Sequence, residues 1–197
     1  VDFKKVTIFD EHGLTHLIDC VISKNISNVE KSIAKNLYRI FKHGKEIETT
    51  DLEEIDNFIS SKEIKADETQ KVAIKNAVLN PVSILTGGPG TGKTTTCKNI
   101  VHIFADKLRR TIYLAAPTGK AAQRMGEQIG QGIESQTIHR MLGAKNYFFE
   151  YNEYNQMPVG VYIIDESSML DIFMMDALLK AIPNGSNLIL VGDKNQL

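Results

Sequence analysis

The chain has only two cysteines in 197 residues, Cys20 and Cys97, too few for a disulfide framework or a thiolate metal site. It also lacks an excess of either charge. Its 23 Lys and Arg against 24 Asp and Glu leave a formal net charge of -1, which excludes a globally basic nucleic-acid binder but allows a local basic face. No stretch approaches the roughly 20 apolar residues that span a bilayer. No secretion signal opens the chain, so a cytoplasmic location with no membrane partner is expected. His12, His16 and His43 do not fall into the tight spacing with acids that holds a metal. The remaining composition, 42% hydrophobic and 24% charged, suits one substantial core or one core plus a small domain. The chain starts without methionine at Val1 and stops at Leu197 beside a motif described below, so it is expected to be part of a longer protein.

Glycine is not scarce everywhere. Gly87-Gly88-Pro89-Gly90-Thr91-Gly92-Lys93-Thr94 has the full phosphate-loop spacing: Gly87, four residues, then Gly92, Lys93 and Thr94. Glycines at this density let the backbone turn its N–H groups inward at a triphosphate, with Lys93 reaching the β and γ phosphates and the Thr94 hydroxyl offered to magnesium. Val82 to Thr86 reads as a strand entering the loop. Thr94 to Leu108, including Thr95, reads as a helix leaving it and presenting its N-terminus to the phosphates.

Two further apolar strands end in polar junctions. Val161 to Ile164 runs into Asp165-Glu166, where Asp165 can hold the magnesium and Glu166 can orient or deprotonate the attacking water. Asn187 to Val191 runs into Gly192-Asp193-Lys194-Asn195-Gln196-Leu197, which places Gln196 to contact the γ-phosphate or its water. A buried strand over Thr111 to Ala115 leads into Ala116-Pro117-Thr118-Gly119-Lys120, the kind of strand-to-helix junction where open α/β sheets place ligand contacts. Lys120 and Arg124 share a helix face and suit nucleic-acid phosphates or plain solvation equally. Ser135 to Leu142 reads as a short helix with two basic residues, His139 and Arg140. The aromatics from Tyr147 to Tyr154 fit a hairpin's own packing better than stacking on bases.

Residues 1–64 read as a small all-helical accessory domain, with apolar stripes over Leu14 to Ile22, Val29 to Phe41 and Leu52 to Ile59. The polar stretch Ser60 to Lys65 is the expected joint, and residues 65–197 form the second unit. Asp67 caps the helix that follows, and Gln70 on it is a surface residue or a reader of the adenine edge.

In this order the motifs resemble the superfamily 1 DNA helicases, and within them the RecD-like group, the exodeoxyribonuclease V alpha subunit and its free-standing relatives. Gly87 to Thr94 resembles motif I, Ala116 to Ala122 motif Ia, Asp165 to Met169 motif II and Gly192 to Leu197 motif III; Thr137 to Leu142 is similar to a Thr-x-His-Arg-Leu-Leu segment. The resemblance implies a RecA-like P-loop NTPase domain with a mostly parallel sheet and ATP and Mg²⁺ as cofactors. It also implies Gln70 as the adenine reader, Gln196 as the γ-phosphate sensor, and a single-stranded DNA track over Pro117, Thr118, Gly119, Lys120, Arg124, His139 and Arg140. The intact protein would then move 5′ to 3′ on single-stranded DNA and unwind duplex in repair or recombination, alone or with nuclease and helicase subunits of an exodeoxyribonuclease V-like complex. The family's second RecA-like domain is not in this sequence, so the chain alone is expected to bind nucleotide and turn it over poorly. The competing expectations are an RNA-directed or other phosphate-loop ATPase, or a nucleotide-binding module that no longer hydrolyses.

Overall fold

The computed structural model describes the chain except residues 10–14, 46, 48, 62, 63, 65, 89, 131, 147 and 194–197. Strands β1 (Asp2–Phe9) and β2 (Thr15–Ile22) pair antiparallel, from Asp2 opposite Ile22 to Phe9 opposite Thr15. This corrects the helix expected over Leu14 to Ile22. The apolar spacing there satisfies a helix template, but β-branched Thr15, Ile18, Val21 and Ile22 also suit a strand, and the upstream run Asp2–Phe9 supplies the partner. Two helices follow as expected, α1 (Lys24–Lys42) and α2 (Thr49–Ser60).

Helix α3 (Glu68–Leu79) opens on a capping box. The Asp67 carboxylate accepts from the Gln70 backbone N–H at 2.8 Å, and the Gln70 side chain accepts from the Asp67 N–H at 3.2 Å. Then come β3 (Val82–Thr86), α4 (Lys93–His102), β4 (Ile112–Ala116), α5 (Gly119–Ile129), β5 (Ser135–Thr137) and α6 (Ile138–Met141). A small hairpin, β6 (Ala144–Lys145) and β7 (Phe148–Phe149), precedes β8 (Val161–Ile164), α7 (Ile172–Ala181) and β9 (Asn187–Gly192). The helix expected to run to Leu108 widens into π turns over Ile103–Lys107, and these keep Ile103 and Phe104 buried. Ser135–Thr137 adds a strand where a helix was expected, because its backbone pairs with Leu114 to Ala116 of β4.

The main sheet is five-stranded and parallel, in the order β3-β9-β8-β4-β5. All residues of β8 and β9 are buried, which fits strands covered on both faces. Alternation then divides the core. Val161 and Ile163 of β8 join Ile189 and Val191 of β9, α3, α4 and α2 on one face. Tyr162, Ile164, Leu188 and Leu190 join α7, α6 and Ile40 of α1 on the other. Helices α1 and α2 therefore bury residues in the same two clusters as the sheet. The Arg39 guanidinium fastens α1 to the C-terminal end of α7 by donating to the Leu179 and Ile182 carbonyls at 2.9 and 2.8 Å, where the helix dipole favours a cation. Phe149 and Tyr151 pack on the second cluster while Phe148 and Tyr154 remain exposed, so the aromatic segment serves packing in part. Among the described residues no helix is long and apolar enough to cross a membrane.

Central and edge positions should respond differently to truncation. Ile163 is fully buried, whereas Ile84 on the outer strand β3 is 69% exposed. Ile163→Ala is expected to cost about 3 kcal/mol in urea unfolding and Ile84→Ala less than about 1 kcal/mol; similar costs for the two would contradict this placement of the sheet.

Candidate nucleotide site

Parallel strands carry their outgoing loops to one edge. Here β3, β4 and β8 deliver the glycine-rich loop, the Pro117–Lys120 turn and Asp165-Glu166 to that edge, while β9 brings Asp193, buried at its end. A cavity of about 410 Å³ lies there, lined by Gly88, Gly90, Thr91, Gly92, Lys93, Thr94, Asp165 and Glu166, with Cys97, Met125, Ile129 and Val191 as an apolar wall. Burial foremost pushes the Cys97 thiol up to about 12, so it acts as a small apolar residue.

The loop's conformation depends on glycine at Gly92, which has φ +80° and forms the N-cap of α4. A Cβ there would lie 2.3 Å from Gln70 Nε2. Gln70 donates from that nitrogen to the Thr91 carbonyl at 3.1 Å, so α3 braces the loop from outside. The first N–H groups of α4 have no acceptor within the helix and suit an anion. Lys93 Nζ donates to the carbonyls of Gly87 and Gly88, the latter at 3.0 Å, which holds its ammonium at the loop's mouth. Thr95 is exposed on α4 and does not line the cavity.

Asp165 and Glu166 are held from several sides. The Asp165 N–H donates to the Ala115 carbonyl at 2.9 Å, and Asp165 Oδ1 accepts from the Glu166 N–H at 2.9 Å. Glu166 has φ 50°, the left-handed region, which for a side chain of this size is sparsely populated and recurs at functional sites. Ser167 Oγ donates to the Val191 carbonyl at 2.9 Å and ties this turn to β9. Burial foremost raises the Asp165 carboxyl above its ordinary range, and the neighbouring Glu166 charge adds to this. The hydrogen bond from the Glu166 N–H and the charges of Arg124 and Lys93 act the other way.

The donor set fits a magnesium ion held beside phosphates. Among the described residues no group of three or more His, Cys, Asp and Glu could hold a metal by itself. Thr94 and Asp165 line one cavity, and magnesium characteristically takes one or two protein oxygens, completing its shell with water and phosphate.

The residues expected on the nucleic-acid track divide. Thr118, Gly119 and Lys120 are exposed at the start of α5, where Thr118 caps the helix by accepting from the Ala121 N–H at 3.2 Å; Pro117 is half-buried. His139 and Arg140 are exposed on α6, with the His139 ring 5.9 Å from that of Phe149. Arg124 instead lines the nucleotide cavity, and its Nη2 donates to Glu166 Oε1 at 2.5 Å. Gln128, which the sequence did not single out, lies one turn further on and reaches Thr94 Oγ1 at 3.4 Å. Extending the Lys120 and Arg124 face by four residues is the signal that finds it. Pro89 and Gln196 lie outside the described residues.

Two outcomes follow for purified protein. Gly92→Ala meets both the backbone and the steric obstacle, and is expected to weaken nucleotide binding by about tenfold or more, near 1.4 kcal/mol, in a fluorescent-nucleotide titration; an unchanged affinity would show that the loop does not need glycine at this position. Because the Asp165 carboxyl is raised on folding, the native state holds more proton there than the unfolded state, and stability falls as pH rises through that window. Asp165→Asn is therefore expected to raise the Tm at pH 7 without nucleotide or metal, with a gain that shrinks towards pH 4; a lower Tm at pH 7 would show that ionised Asp165 is not a cost to the fold.

Comparison with known proteins agrees with this geometry. A family model described as an AAA domain matches residues 70–197. The RecBCD enzyme subunit RecD of Haemophilus influenzae is 37% identical over 170 residues, which is 74% of this chain and 26% of that protein. The ATP-dependent RecD2 DNA helicase of Deinococcus radiodurans is 45% identical over 114 residues, 58% of this chain and 16% of that protein. A solved structure of Bacteroides Pif1 bound to single-stranded DNA aligns over 66% of this chain and 32% of that one, with 25% identity and a TM-score of 0.42. The chain thus spans about a quarter or less of the length of these two curated relatives. A parallel sheet that brings a phosphate loop and an Asp-Glu pair to one edge, together with the family match over residues 70–197, identifies the chain as a member of the AAA domain family related to RecD-type helicases.

Proposed function

We propose that this chain is the nucleotide-hydrolysing half of an ATP-dependent DNA helicase motor, comprising an accessory unit over residues 1–64 and a first RecA-like domain over residues 65–197. The observation that carries the reading is the cavity in which the Gly88–Thr94 loop, Asp165 and Glu166 converge while the start of α5 stays exposed beside them. The loop N–H groups and Lys93 would bind the β and γ phosphates. Thr94 and Asp165 would hold magnesium, which when bound offsets charge on the transferring phosphoryl. Glu166 would take a proton from the attacking water.

Gln70 would read the adenine edge. Its carboxamide already uses one acceptor site on the Asp67 N–H and one hydrogen on the Thr91 carbonyl, so one acceptor and one donor remain for a base. Gln196 would sense the γ-phosphate. Thr118, Gly119 and Lys120, with His139 and Arg140, would follow the backbone of single-stranded DNA, a contact that tightens as salt is lowered whatever the base sequence. Full hydrolysis and 5′ to 3′ movement would need the second RecA-like domain of the intact protein, and relatives named as RecBCD subunits support nuclease and helicase subunits as partners.

ATP turnover measured with and without single-stranded DNA, on this chain and on the full-length protein that carries it, tests the reading. The full-length protein is expected to turn over faster and to be accelerated by DNA. Lys93→Ala should remove nucleotide affinity or turnover, and an unchanged ATP titration would overturn the central assignment. Glu166→Gln should keep nucleotide binding while turnover falls about 100-fold or more.

A further inference from the structure

Helix α1 carries a charge pattern that the nucleotide site does not use. Its cations are Lys24, Lys31, Lys35, Arg39 and Lys42, against one acid, Glu30. Arg39 is engaged by the carbonyls at the end of α7. The four lysines follow one another at seven, four and seven residues, each close to a whole number of turns, so they form one straight row about 27 Å long at 1.5 Å per residue. Glu30 lies about 120° round the helix from that row. All four lysines are exposed. Two large aromatic side chains are exposed with them. Tyr38, 64% exposed, is one turn from both Lys35 and Lys42 and so stands beside the row, and Phe41, 54% exposed, is one turn from Tyr38.

The row is a local excess on a chain whose formal net charge is -1. Asp2 of β1 stands 3.9 Å from the Lys31 ammonium, a long and solvated pair that leaves the lysine side chain 67% exposed. Helix α1 gives no residue to the wall of the nucleotide cavity. Its C-terminal end lies at the opposite edge of the sheet, where strands begin: the His43 carbonyl accepts from the Gly185 N–H at 2.8 Å just ahead of β9, and Gly44 sits against Pro81 just ahead of β3. The Lys42 end of the row is therefore remote from the start of α5, which lies where β4 ends.

A straight row of ammonium groups recognises an anion that repeats along a line, and a nucleic-acid backbone is such an anion. At the 3.4 Å spacing of a stacked strand, the row faces about eight phosphates. The aromatics narrow the choice further, because an exposed ring gains by stacking on the open face of an unpaired base, a face that a duplex keeps inside its own stack. We propose that the outer face of α1 is a second nucleic-acid contact, a single-strand site where Lys24, Lys31, Lys35 and Lys42 hold phosphates and Tyr38 stacks on a base. The site uses none of the residues placed in the nucleotide cavity or on the track beside it. It goes beyond the motor reading and gives the accessory unit a role of its own.

The test is a titration of labelled oligothymidylate of about 20 nucleotides with full-length protein, without ATP and across a range of salt concentrations. Wild type is compared with Tyr38→Ala, Tyr38→Phe and a quadruple variant carrying Lys24→Gln, Lys31→Gln, Lys35→Gln and Lys42→Gln. The quadruple variant is expected to bind about tenfold or more weakly at low salt, and its log–log slope of affinity against salt should flatten by about 2 to 3, the share of four phosphate contacts on a single strand. Tyr38→Ala should weaken binding about fivefold or more with the slope kept, and Tyr38→Phe should bind as wild type does. Changing Lys71, Lys75, Lys98 and Lys107 to Gln together, on the other face of the sheet, should leave the slope within about 1 of wild type. Unchanged affinity and slope in the first quadruple variant, or equal flattening in both, overturn the site and leave the motor reading standing, since DNA-stimulated turnover is read separately. No loss in Tyr38→Ala, with a duplex of the same length or polyglutamate competing as well as unlabelled oligothymidylate, overturns a single strand as the occupant.

Discussion

Burial of β8 and β9 on both faces is the constraint on which the rest depends. A parallel strand with apolar side chains on both sides requires helices above and below it. It must also reach its neighbours by crossovers, and these set every outgoing loop at the same edge. The glycine-rich loop, the start of α5 and the Asp165-Glu166 turn therefore meet through the packing of Val161, Ile163, Ile189 and Val191 on one side and Tyr162, Ile164, Leu188 and Leu190 on the other. Chemistry placed at the ends of such strands needs no contact between the loops to bring it together.

That arrangement has a cost, carried by the acids. Ending the most apolar strand in a carboxylate withdraws Asp165 from water and disfavours its charged form. Lys93 and Arg124 offset this, and a bound cation would offset it more. Glu166 has a second cost in its left-handed backbone. Both are features that a protein selected for stability alone would lose, and both sit where the proposed reaction needs an unpaired oxygen facing a phosphate. The disposition of charge thus agrees with the geometry: Lys93 is held at the mouth by neutral carbonyls and Arg124 by Glu166.

Much of this was legible in the residues. Gly87 to Thr94 carries its own spacing, and the strands over Val161–Ile164 and Asn187–Gly192 are apolar without alternation, the pattern of a strand covered on both faces. Asp67 gave the start of α3 because an N-cap is local, and the structure adds Gln70 as the second half of a capping box. What depended on distant partners was less readable. Leu14 to Ile22 fits helical spacing, and only its pairing with Asp2–Phe9 makes it a strand. The short strand Ser135–Thr137 exists because β4 offers a free edge. Arg124 could be placed on a helix face from sequence, but the direction of that face depends on how α5 packs against β4 and α4, and this packing brings the guanidinium to Glu166.

The same helix shows why motif order and motif geometry carry different information. Order along the chain presents the start of α5 and the Asp-Glu turn as independent stations. In three dimensions a single helix spans them, with Thr118 capping its exposed end, Arg124 reaching Glu166 in the turn after β8 and Gln128 reaching Thr94 beside the glycine-rich loop.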